Sequence, residues 1–209
     1  MDRKKSFIVF SIFMMVSFLG CATPQPKIPM DWASSQPGTQ VSFRGNPVKL
    51  LGSPISVGKP LPSVEVVDAM SMKDVDLSKE KGSVLLVSIV PSLDTPVCDE
   101  QTHYLGEKGD RLPGSVKRIV ISRDTPFAQK RFAKEAKLTD LQYLSDYKQG
   151  DFGRSTGLLT EGSMLLARSV IIIDKEGTVQ YIQVVPEMSH LPDMEKAFEK
   201  ASELAKAGM

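Results

Sequence analysis

Val84-Leu85-Leu86-Val87-Ser88-Ile89-Val90-Pro91-Ser92-Leu93-Asp94-Thr95-Pro96-Val97-Cys98 is the stretch whose reading decides the fold. Val84 to Val90 is continuously apolar rather than alternating, which suits a central strand covered on both faces. Thr95-Pro96 then reads as a helix N-cap followed by proline at the first helical position, where its missing N–H would be unpaired anyway. That register puts Val97 at N2 and Cys98 at N3, the place a glutamate takes in a capping box. A thiolate there meets unpaired backbone N–H groups and the positive end of the helix dipole. The Thr95 hydroxyl can accept a backbone bond and still donate its proton to sulfur. Asp99 and Glu100 oppose an anion at this point, with side chains expected to turn away around the helix. A compensating cation is therefore needed.

Outward from this stretch the chain alternates strands and helices. Val41 to Phe43 and Val48 to Leu51 flank Arg44-Gly45-Asn46-Pro47 and predict an N-terminal hairpin. Val64 to Val67, Lys117 to Ser122, Ser169 to Ile173 and Thr178 to Val185 are further strand candidates, with Gly177 turning into the last. Thr125-Pro126 opens a helix through about Glu135. Asp193 starts a C-terminal helix with Met194, Ala197, Phe198, Ala201, Leu204 and Ala205 on one stripe. The order is α/β and fits a thioredoxin-like, central mixed sheet flanked by helices. Arg168, just before the strand at Val170, is the candidate cation, because strand ends and helix N-termini meet in such sheets.

The N-terminus carries Arg3-Lys4-Lys5, an apolar run from Phe7 to Leu19, and Gly20-Cys21. The run is shorter than the ~20 residues of a membrane span, and basic, apolar and small regions in that order describe a secretory signal. It resembles a bacterial lipoprotein signal, residues 1–20, with lipid on Cys21. Ala22 supplies no acidic retention cue, so a cell-envelope location facing the periplasm or exterior is expected, on the outer membrane where one exists. Cleavage would remove three of 26 basic and one of 25 acidic residues, leaving net −1 and nothing that points to nucleic acid. Residues 21–40 have the Pro, Ser, Gln and Gly composition of a flexible tether. Residues 41–209 remain for one domain. With Cys21 lipidated, Cys98 is the single free thiol of the two cysteines, and no intramolecular disulfide can form.

Pro91, Thr95 and Cys98 form the Pro-x-x-x-Thr-x-x-Cys signature of peroxiredoxins. With Val41 to Val48, Pro126 to Phe132 and Ala167 to Asp174, the chain resembles the thiol peroxidase branch over about residues 41 to 207. The resemblance implies that Cys98 is the peroxidatic cysteine, that Thr95 bonds sulfur and peroxide, that Pro91 shields the sulfur, and that Arg168 is the active-site arginine. It implies a hydroperoxide substrate, sulfenic acid formation at Cys98, help from the Cys98 N–H for the leaving oxygen, and no metal, haem or flavin. It also implies dimer contacts near helices such as 126–135, so a homodimer is open. The branch usually has a resolving cysteine where this chain has Ala133. Either an external thiol or thioredoxin-like reductant then resolves the sulfenic acid in a one-cysteine cycle, or the site turns over poorly.

Other readings of the same residues are weaker. A disulfide exchanger would need a cysteine at Thr95 and a proline before Val170. A non-catalytic envelope protein that senses peroxide or pairs with a partner through Cys98 is the alternative that turnover would exclude. His103 and His190 lack metal-ligand spacing. His103 is expected on the helix after Cys98, Met188-Ser189-His190 in a loop, and Phe127 and Phe132 in the core.

Overall fold

A computed structural model describes residues 27–207. In chain order the elements are β1 (Gln40–Phe43), β2 (Asn46–Leu51), β3 (Glu65–Asp68), β4 (Asp74–Asp76), β5 (Val84–Ile89), α1 (Pro96–Glu107), β6 (Val116–Ser122), α2 (Pro126–Glu135), β7 (Gln142–Ser145), α3 (Asp151–Thr156), β8 (Leu159–Thr160), β9 (Ser169–Ile173), β10 (Val179–Val184) and α4 (Met194–Ala207). The main sheet has strand order β10-β9-β5-β6-β7-β3-β4. Pairing is parallel for β5–β6 and β6–β7 and antiparallel elsewhere, so the sheet is mixed, as expected. β1 and β2 form the predicted hairpin, and β2 pairs onward with β8.

The hairpin turns on Arg44 and Gly45 at φ 51° and 78°. Both are positive, the requirement of the tight turn that matches strand twist. Asn46 and Pro47, expected in the turn, instead begin β2. The short strands β4, β7 and β8 and the six-residue α3 have no counterpart among the expected elements, because segments this short carry too little periodicity to stand out.

β5 divides the core. Leu85, Val87 and Ile89 pack on the face covered by the hairpin and α3, while Val84, Leu86 and Val90 pack against residues of α1, α2 and α4. Every β5 residue is buried, which explains the continuous apolar run. On α4 the expected stripe is buried at Met194, Ala197, Phe198, Ala201 and Ala205, with Leu204 half-buried at its margin. Phe132 lies in the core, but Phe127 is 72% exposed, correcting the expectation for it. As the second residue of α2 it falls off the face that carries Gln129, Phe132 and Ala133 inward.

The expected tether through residue 40 also requires correction. From Pro29 onward the chain is docked: Asp31 N–H donates to Leu191 O, Leu191 N–H to Pro29 O and Ser35 N–H to Val184 O. Composition marked this segment as extended, which it is. It could not show that the outer edge of β10 offers unpaired backbone groups for an extended segment to satisfy. The signal and Cys21 lie outside the described residues.

Leu86→Ala is expected to cost roughly 2–5 kcal/mol, as for other fully buried leucines. Urea unfolding should show a lower midpoint at unchanged slope.

Candidate active site

Sheet register builds the site. Ser169 of β9 stands opposite Ile89 of antiparallel β5. Arg168, one residue earlier, therefore lies beyond the C-terminal end of β5, where the Pro91 loop leads into α1. The parallel partner β6 ends at the same edge, with Ile121 opposite Ile89. Asp124, just after β6, accepts from Ser92 Oγ–H (2.7 Å) and Leu93 N–H (2.7 Å), which pins the loop ahead of Thr95.

α1 begins at Pro96 with Thr95 as N-cap, as predicted. Thr95 Oγ lies 2.9 Å from Cys98 Sγ and 3.0 Å from Ser92 O. It makes no side-chain cap, contrary to expectation. A hydroxyl has one proton, so Thr95 can donate to only one of these groups at a time, and turning it to sulfur leaves Ser92 O. The Cys98 N–H, expected to serve the leaving oxygen, is bonded to Thr95 O at 3.0 Å.

Arg168 is 2% exposed and Cys98 fully buried. Arg168 Nη2 donates to Cys98 Sγ (3.2 Å), Nη1 to Gln101 Oε1 (2.8 Å) and Nε to Met188 O (2.9 Å). Gln101 Nε2 donates in turn to Ser88 Oγ on β5 (2.8 Å). Arg111, Arg118, Arg123 and Arg131 each face a carboxylate, but among the described residues Arg168 faces none. A buried cation needs an anionic partner, and Cys98 Sγ is the one ionisable acid that Arg168 touches. Cys98, Thr95 and Arg168 thus come together as expected, with Pro91 at the mouth. Gln101, Ser88 and the Met188 carbonyl were not foreseen. Gln101 carries a signal in hindsight, a polar residue one turn after Cys98 on the same helix face.

A pocket of about 400 Å³ opens over the site, lined by Phe43, Pro91, Thr95, Val97, Arg168 and Met188 among others. Its wall is tied by Glu187, which accepts from Arg44 N–H (2.9 Å), Gly45 N–H (3.0 Å), Ser42 Oγ–H (2.9 Å) and Ser189 Oγ–H (2.6 Å). Burial pushes the Glu187 carboxyl up, but hydrogen bonds from Ser189, Gly45 and Arg44 outweigh it and hold the group down at about 2. Asp99 turns to His103, 3.5 Å away, and so points along the helix surface as expected. Ala133 is fully buried in the same core cluster as Cys98. No cluster of metal-ligating side chains occurs among the described residues.

A guanidinium and a hydroxyl converging on a buried sulfur, at the start of the helix that follows a central strand, define a thiol-redox site on a thioredoxin-like fold. The redoxin family matches residues 56–198. A thiol peroxidase from Halalkalibacterium halodurans is 42% identical over 161 residues, covering 77% of this chain and 96% of that protein. The thiol peroxidase of Bacillus subtilis is 37% identical, covering 80% and 99%. Among solved structures, a peroxiredoxin-like protein from Aquifex aeolicus has TM-score 0.73 and 36% identity over 81% of this chain and 99% of its own. The chain belongs to the redoxin family, in the thiol peroxidase branch of the peroxiredoxins.

Because Glu187 titrates lower in the folded protein than its ordinary 4.5, its stabilising effect is fully present above that value and fades as pH falls towards about 2. Glu187→Gln should lower the thermal midpoint at neutral pH and weaken its fall on acidification. Equal acid slopes in the two proteins would show that the clasp carries no such linkage.

Proposed function

We propose that the protein is a one-cysteine thiol peroxidase that reduces hydrogen peroxide and alkyl hydroperoxides with an external thiol. The observation that carries this reading is the pair of donors, Thr95 Oγ–H and Arg168 Nη2–H, on Cys98 Sγ. The charges of the site balance when the sulfur is a thiolate beside the buried guanidinium. Attack of that thiolate on the peroxide forms the S–O bond and breaks O–O, and the electron pair goes to the departing oxygen. Arg168 and Thr95 are placed to stabilise that oxygen, which leaves as water or an alcohol after taking a proton. Cys98 is left as sulfenic acid. One external thiol condenses with it to a mixed disulfide and water, and a second releases the Cys98 thiol. Ala133 in place of a resolving cysteine supports the external reductant. The pocket, larger than hydrogen peroxide requires, supports alkyl hydroperoxides as substrates.

The test is substoichiometric peroxide at neutral pH on protein beginning after Cys21, with rapid thiol trapping and mass spectrometry of the Cys98 peptide. Oxidation orders of magnitude faster than free cysteine is expected, with no peroxide consumed by Cys98→Ser. Removing one such donor elsewhere costs on the order of 10²–10³-fold, and Arg168→Lys should lose a comparable factor. Catalytic turnover should require added thiol. Fast oxidation without turnover under any thiol would favour peroxide sensing, and oxidation no faster than free cysteine would overturn the assignment.

The N-terminal pattern supports a lipid anchor on Cys21 that holds the enzyme in the cell envelope. Expressed in a bacterium, the protein should fractionate with membranes, and Cys21→Ser should not. Recovery of both in the same fraction would refute the anchor.

A further inference from the structure

We propose that the N-terminal strap, Pro29 to Ser35, is a positioning element for Arg168, with Asp31 as its main contact. This rests on the peroxidase reading of the site. The strap precedes residue 56, where the match to the redoxin family begins. Its bonds converge on the end of β10 and the loop that follows. Gln183 Nε2 donates to Asp31 O (2.7 Å) and Ala33 O (3.2 Å), and Val184 N–H donates to Ser34 Oγ (3.0 Å). Glu187 N–H donates to Asp31 Oδ2 (3.2 Å). His190 Nδ1 lies 3.2 Å from Asp31 Oδ1, close enough for charge but without hydrogen-bond alignment.

The loop from Pro186 to Leu191 is thus gripped on two sides. The hairpin turn holds the Glu187 carboxylate, and the strap holds the Glu187 N–H and the Leu191 backbone. Between those anchors sits Met188, whose carbonyl receives Arg168 Nε–H. A guanidinium is planar and its donors diverge at fixed angles, so the direction of Nε–H sets where Nη2–H points. The Met188 N–H is itself held by Ser42 O of β1 (2.8 Å), so loss of the strap's hold lets the Met188 carbonyl swing about that remaining bond, and the donor facing Cys98 Sγ shifts with it. Misplacement by ~1 Å can cost as much as 10²-fold in rate. The segment nearest the proposed anchor thereby becomes part of the support of the site.

The experiment compares Cys98 oxidation by peroxide in full-length protein, by trapping and mass spectrometry, for Asp31→Ala and Asp31→Asn alone and in the Arg168→Lys background. It adds the exchange rate of the Arg168 Nε–H measured by NMR. Asp31→Ala should slow oxidation on the order of tenfold, within that bound, and should speed Nε–H exchange. Asp31→Asn keeps a carbonyl oxygen for the Glu187 N–H and should restore most of both. With Arg168→Lys in place, Asp31→Ala should have little further effect, because the two act through one contact. Equal factors in both backgrounds would mean general loosening and overturn the proposal, as would an unchanged rate with Nε–H still protected. Slow oxidation of the parent would overturn the peroxidase reading, and Nε–H exchange would still decide whether the strap holds Arg168.

Discussion

The contact between Arg168 and Cys98 is the constraint on which the rest of the site depends. A guanidinium taken out of water without a carboxylate is tolerable only if every N–H finds an acceptor and some neighbour can carry negative charge. Here two backbone carbonyls, a glutamine oxygen and a sulfur share that demand. They come from three parts of the chain: the loop after β10, the second turn of α1, and its first, which supplies both Val97 O and the sulfur. The register of β9 on β5 delivers the arginine, and the start of α1 delivers the sulfur. A shift of either strand by one residue would turn Arg168 to the opposite face of the sheet.

The parts legible in the sequence are those whose cause is local. β5 announced itself because a strand buried on both faces has no polar positions to interrupt it. The starts of α1 and α2 were legible because Thr-Pro fixes the backbone at both. Thr95 and Cys98 could be paired from spacing alone, one helical turn apart. Arg168 could be nominated from where strand ends meet helix N-termini, but its role needed the family resemblance, since a contact between residues seventy positions apart leaves no trace in composition. Met188 was beyond any residue-type argument, because it acts through a carbonyl that every residue has. Glu187 was hidden for a related reason: three of its ligands are backbone N–H groups, and its importance lies in where the Arg44–Gly45 turn and the 187–189 loop happen to meet. The strap was misread because an extended segment that is free and one bound to a strand edge have the same composition.

The Thr95 hydroxyl shows how the site is set against the stability of its own helix. An N-cap threonine that bonds the backbone is worth about 1 kcal/mol. Thr125 at the start of α2 makes that bond, accepting from Ala128 N–H. Thr95 is also extended and followed by proline, but at φ −120° against −62° for Thr125, and its hydroxyl faces Ser92 O and Cys98 Sγ instead. The first turn of α1 is held less tightly in consequence.

That looseness bears on the second half of the reaction. In the packed form the sulfur has no solvent exposure and lies behind the Thr95, Val97 and Arg168 wall of the pocket, so a small shift of that wall admits a peroxide while a bulky thiol needs a larger one. In the one-cysteine cycle proposed above, an external reductant would have to reach the oxidised sulfur, which requires the first turn of α1 to open. Oxidation itself removes part of what holds it closed. A sulfenic acid carries no negative charge to match the Arg168 guanidinium, and its added oxygen occupies space between Thr95 and Arg168. A turn without its side-chain cap opens at lower cost, since local opening free energies follow the contacts that must be broken. In that proposed cycle the hydroxyl diverted from the helix to the sulfur would serve both halves: it would stabilise the nucleophile while the turn is closed, and its absence from the cap would make opening easier once the thiolate is spent.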